Sequence, residues 1–215
     1  MKIRTDLSQE NENHCHTIHF HQPNHALKEK IKKEIAFFLN KYNFSAQKHI
    51  FIIGLGNDFH TADSIGPKTI KHIPANAHLE KLGVNIRSPK ISLLEPGVLG
   101  TTGIPTIKTI QSVTKEIKPD LILLIDALVT DNVSFLNHTI QITDEGILPG
   151  SGLKGSNEKI NQKNLGIPVI AIGIPTAIEY INKTTLLVSS SDIDLFIQNT
   201  SLLLAESINE LLHSY

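Results

Sequence analysis

Two short apolar runs constrain this chain more than any other feature, because each stops on residues suited to a site. The first, Phe51-Ile-Ile, breaks at Gly54 and Gly56, and a polar loop then delivers Asp63 beside Ser64-Ile-Gly66-Pro67. The second, Leu121-Ile-Leu-Leu-Ile125, ends on Asp126. A short unbroken apolar run bounded by Gly reads as a buried strand, and Gly-rich loops are where strands hand over to function.

The intervals between these runs carry helical spacing. Leu27, Ile31, Ile35, Phe38, Leu39 and Tyr42 recur at three and four, which predicts an amphipathic helix. Ile104, Ile107, Ile110, Val113 and Ile117 predict another, opened by Pro105 and stopped by Pro119. A short helix is expected after Asp63, with Asp63 as its cap. A final helix is expected from about Ser191 to Leu212, with Ser191 and Asp194 at capping-box spacing. Further strands are expected at 49–55, 84–94, 136–143 (half-buried or at an edge), 167–173 and 185–188. Strands alternating with helices predict one compact α/β domain over 1–215, a three-layer α/β/α sandwich with a mixed, mostly parallel sheet.

Composition narrows the function. The formal net charge is −1 with scattered Lys, which argues against a nucleic-acid partner. Cys15 is the single cysteine, so no disulfide framework or thiolate metal cluster is expected. No run approaches a membrane span and no signal-peptide core is visible, so the expected location is the cytoplasm. Residues 1–25 are polar and irregular, a loosely ordered or edge-strand segment whose His14, His16, His19, His21 and His25 are all candidate metal ligands.

Ligands of open α/β sheets bind outside the carboxyl ends of the strands. The loops 54–66, 95–103, 144–152 and 173–176 follow strand candidates and are expected to gather at one edge, with Asp63 and Asp126 as neighbours. The loop backbones, with Gly97, Gly100, Gly103, Gly150, Ser151 and Gly152, would hold an extended peptide. Three options stay open for the two Asp residues. They share a proton and activate water; they bind a divalent metal with a His such as His60 or His138; or they are structural. Other chemistries fit poorly. Position 59 is Phe, so a dinucleotide fingerprint is broken, there is no phosphate loop, and Pro149-Gly-Ser-Gly-Leu153 is not a nucleophile elbow.

Over most of residues 49–178 the chain resembles the germination proteases of endospore-forming bacteria. The resemblance rests on Ile3-Arg-Thr-Asp-Leu7, Gly54-Leu-Gly-Asn57, Thr61-Ala-Asp-Ser-Ile-Gly-Pro67 and Pro96-Gly-Val-Leu-Gly-Thr-Thr-Gly-Ile104. It continues through Lys118-Pro-Asp-Leu121, Ile125-Asp-Ala-Leu128, Thr139-Ile-Gln-Ile-Thr-Asp144, Gly146-Ile-Leu-Pro-Gly-Ser-Gly152 and Leu165-Gly-Ile-Pro-Val-Ile-Ala-Ile-Gly-Ile-Pro-Thr176. It implies an atypical aspartic-type endopeptidase, without a cofactor, that degrades small acid-soluble, DNA-protecting spore proteins in the spore core. The family's two essential carboxylates match Asp63 and Asp126. Its fold is related to the hydrogenase maturation proteases, which use nickel at an equivalent carboxylate pair. Members are tetrameric zymogens that remove a propeptide, a cut that falls here between Asp6 and Leu7. The alternatives that go with this resemblance are a metal-dependent maturation-type protease and a non-catalytic spore protein of the same fold.

Overall fold

The structure is a computed structural model and describes residues 15–85, 87–149, 158–182 and 184–215. The strands are β1 (Cys15–His19), β2 (His49–Gly54), β3 (Lys90–Leu94), β4 (Leu121–Thr130), β5 (Thr139–Thr143), β6 (Val169–Asn182) and β7 (Thr184–Val188). The helices are α1 (His25–Lys41), α2 (Ile65–Ile70), α3 (Leu99–Thr102), α4 (Thr106–Ile117), α5 (Gln162–Leu165) and α6 (Ile193–His213). The strands form one mixed sheet in the order β1-β5-β6-β4-β2-β3, with β7 paired to the far half of β6. The block β6-β4-β2-β3 is parallel, while β5 and β7 run antiparallel to β6 and β1 runs antiparallel to β5.

Alternate side chains of the central strands leave the sheet on opposite faces, and both faces are covered. On one, Ile50, Ile52, Leu123, Ile125 and Ile172 meet Ile31 and Phe38 of α1, Ile65 of α2, and Leu204 and Ile208 of α6. On the other, Phe51, Ile53, Ile122 and Leu124 meet Ile107 and Ile110 of α4. A strand buried on both faces must be apolar without a break, which is why β2 and β4 read as unbroken runs. The result is the expected α/β sandwich. α1 begins where expected: the Leu27 N–H donates to the side chain of its cap, Asn24, at 2.9 Å.

Several boundaries differ from the sequence reading. β3 starts at Lys90, later than expected: a 3-10 helix, Ala77–Leu82, ends on Gly83 with φ of +72°, and the described residues between Gly83 and Lys90 form no strand. β5 is neither half-buried nor an edge: it lies between β1 and β6 and all its residues are buried. β6 runs on through Pro175, and α6 starts after Asp192 without a side-chain cap, so the Ser191/Asp194 box does not form. Among the described residues no helix is long and apolar enough to cross a membrane.

Candidate active site

The chain passes from β2 to β3 on one side and then to β4 on the other. The carboxyl ends of β2 and β4 therefore flank the point where the strand order reverses, the natural crevice of such a sheet. Asp126 lies within β4, beyond the end of the paired stretch with β2. Asp63 is on the loop that follows β2, in the 3-10 turn Thr61–Asp63.

Close backbone packing brings the two together. The Leu55 N–H donates to the Ile125 carbonyl at 2.8 Å. A Cβ on Gly66 would stand 2.3 Å from the Leu55 carbonyl oxygen and 2.4 Å from that of Ile125, so only Gly allows α2 to start against both strand ends. The loop is also tied to the sheet from the far side. β6 bulges opposite Leu128 and Val129, skipping Thr176 in the register. The hydroxyl of this buried residue donates to the Ala62 carbonyl at 2.5 Å. Asp63 does not cap α2: Ser64 takes the cap position without a side-chain bond.

Burial, helped by the nearby charge of Asp63, pushes the Asp126 carboxyl up to about 7, against the Ala127 N–H that donates to Oδ1 at 3.0 Å. Burial likewise lifts Asp63 to about 6, outweighing the Asn57 amide and His60, which favour its charged form. Two interacting carboxyls titrate as a pair, an arrangement able to hold a single proton between them.

A cleft of about 250 Å³ opens on the loop that leads to Asp63, lined by Gly56, Asn57, Phe59, Glu95, Gly97 and Thr102 among others; neither Asp63 nor Asp126 is in its lining. Gly56 joins the cleft to Asp63: it has φ of +115°, and a Cβ added there would come 3.2 Å from Asp63 Oδ1. Gly97, with φ of +70°, lies in the wall, whereas Gly100 and Gly103 are outside the lining. A larger hollow of about 430 Å³ lies at the other end of the sheet, against Pro119 and Ile167, away from both Asp residues.

Not every expected residue converges here. β5 is antiparallel, so the chain leaves Thr143 level with Ala171, at the end of the sheet away from Asp126, and residues 144–149 do not join the shared edge. Gly150, Ser151, Gly152, Asp6, Leu7 and His14 lie outside the described residues. The His-rich segment is put to structural use: His16 pairs with Glu34 at 2.5 Å and packs on Phe37 and Phe38, and His19 packs on Phe135. His138 faces His21 instead of the Asp pair. Among the described residues no group of three His, Cys, Asp or Glu side chains converges to hold a metal. Thr176 and Gly66 were not singled out from sequence, although a Pro in a strand-like run, as at Pro175, is a signal for a bulge.

The germination protease family model matches residues 20–185. The chain is 40% identical to the germination protease of Priestia megaterium over 163 residues, 74% of this chain and 44% of that one. It is 39% identical to that of Bacillus cytotoxicus over 156 residues, 71% and 42% of the two chains. The chain thus spans under half the length of these relatives. A solved NiFe hydrogenase maturation protease, HycI from Thermococcus kodakarensis KOD1, aligns with 79% of this chain and 95% of its own at 22% identity and a TM-score of 0.48.

Proposed function

This chain belongs to the germination protease family, and from that premise we propose that it is an endopeptidase acting through Asp63 and Asp126 on small acid-soluble spore proteins. What carries the reading is the pair of carboxyls at the crevice of the sheet, half-buried Asp63 raised to about 6 and buried Asp126 raised to about 7. Between those values Asp63 is ionised and Asp126 holds a proton, the state in which one acts as base and the other as acid. Asp63 takes a proton from a water whose oxygen attacks the peptide carbonyl carbon. Asp126 gives its proton to the amide nitrogen as the carbon–nitrogen bond breaks, which releases a neutral amine and a carboxylic acid. The pair still holds one proton, now on Asp63; its return to Asp126 restores the starting state, while the carboxylic acid product gives the water's second proton to the amine or to solvent on leaving. Positioned acid–base transfer of this kind contributes roughly 10²–10⁴ in rate. The loop 95–103 and Gly56 would hold the peptide in extended form beside the pair.

The test is incubation with a purified small acid-soluble spore protein, read by mass spectrometry. Wild type should cut it, and Asp63→Asn and Asp126→Asn should both lose cutting while keeping a cooperative thermal transition. Wild-type rates in both variants would sink the mechanism. The same spectra report loss of Met1–Asp6, the self-processing that the family's motif implies.

A further inference from the structure

The cleft beyond the ends of β2 and β3 is built on the same small loop as Asp63. The Asn57 N–H donates to the Asp63 carbonyl at 3.0 Å, which closes residues 57–63 on themselves, and the His60 N–H donates back to the Asn57 carbonyl at 3.0 Å. Within this loop the Phe59 N–H donates to Asn57 Oδ1 at 3.1 Å. The Phe59 ring lines the cleft, yet it is 91% exposed, more than any other large apolar side chain among the described residues. Glu95 follows Leu94, the last residue of β3, which pairs with Ile53 of β2. Asp58 and Glu95 supply the charges of the lining, and both are negative. Asp58 Oδ2 is taken by Lys71 Nζ at 2.5 Å, which leaves exposed Glu95 as the unpaired charge of this wall among the described residues. At about 250 Å³ the cleft is smaller than the roughly 300–1,000 Å³ of sites that bury a drug-sized ligand, and it matches one long side chain of a larger molecule. An aromatic face beside an unpaired carboxylate fits a side chain with an apolar stem and a cationic end.

We propose that this cleft is a specificity subsite of the Asp63/Asp126 site that takes a Lys or Arg side chain of the substrate, its stem on Phe59 and its charge at Glu95. Gly56 belongs both to the lining and to the surroundings of Asp63, so the residue held there lies within about three positions of the scissile bond, an extended peptide advancing about 3.3 Å per residue. The proposal rests on the peptidase reading and adds to it a preference in the substrate's sequence, which the two carboxyls alone do not set.

The test uses the intact chain and synthetic peptides spanning a mapped cut in a small acid-soluble spore protein. At each of about three positions on either side of the cut, the peptides carry Lys, Met or Glu in turn. Lys and Met have similar stems, so the ratio of their kcat/KM values isolates the charge. At one position wild type should favour Lys over Met by about ten-fold, and Lys over Glu by more. Glu95→Gln and Phe59→Leu should each bring the Lys-to-Met ratio down to about three-fold, and Glu95→Lys should make Glu better than Lys at that position. Thermal midpoints should stay at the wild-type value, since both side chains are exposed. A wild type that favours Lys over Met at no position, or a ratio that Glu95→Lys or Phe59→Leu leaves unaltered, would overturn the assignment. If wild type cuts none of the peptides, or Asp126→Asn cuts as wild type does, it is the peptidase reading that fails, and the subsite falls with it.

Discussion

Asp126 shows what a single buried carboxyl costs and supplies. Its folded-state pKa of about 7 lies above the ordinary 3.8, so the folded chain holds this proton more tightly than the unfolded chain does. The stability linked to it is complete below about pH 4 and is lost as pH rises through 7. Asp126→Asn removes that dependence. Denaturation at pH 4 and pH 8 should show the variant gaining on wild type by up to about 3–4 kcal/mol across that range; parallel curves would contradict it. Under the proposed mechanism kcat should follow a narrow bell, rising through about 6 as Asp63 ionises and falling through about 7 as Asp126 loses its proton. The two Asp residues were legible as candidates because each follows an apolar run. Their roles were not, since spacing alone allowed a helix cap, and only the placement of Ser64 at the start of α2 removed that option for Asp63.

The elements carry the distances. The β6 bulge turns Thr176 toward the Asp63 turn, and its hydroxyl is one named tie between that turn and the far side of the sheet. Thr176→Val should lower kcat about ten-fold with KM little changed, and should move the upper limb of the pH profile down as the charge of Asp63 drifts from Asp126. Thr176→Ser should restore both; a fall in stability alone, with an unaltered profile, would reduce Thr176 to a packing role. Gly66→Ala forces a Cβ onto two carbonyl oxygens at 2.3 and 2.4 Å. It should destabilise the chain by about 1–3 kcal/mol or more and lower kcat as well, measured by urea unfolding and by turnover. Sequence located most of these elements but not their ends. The bulge that carries β6 past Pro175 depends on its pairing with β4, and the direction of β5 depends on its neighbours.

At the scale of the molecule, the sheet is clamped between α1, α2 and α6 on one face and α4 on the other. Leu204 of α6 is fully buried against the first face. Leu204→Ala should cost about 2–5 kcal/mol of unfolding free energy, and because Leu204 serves to hold the layers together, the pH profile of the remaining folded fraction should not change. A shifted profile would mean that Leu204 also steadies the Thr61–Asp63 turn, against which α6 packs.

Periodicity and apolar runs report burial directly, so the layered α/β architecture and the two strand-end carboxyls can be read from the chain alone. Strand pairing added the approach of Asp63 to Asp126 through Gly66 and the tie from Thr176 to Ala62. Each depends on which strands are neighbours and in what register. Pairing between residues far apart in the chain leaves little trace in local periodicity, whereas a one-residue change of register would turn every one of these side chains to the other face.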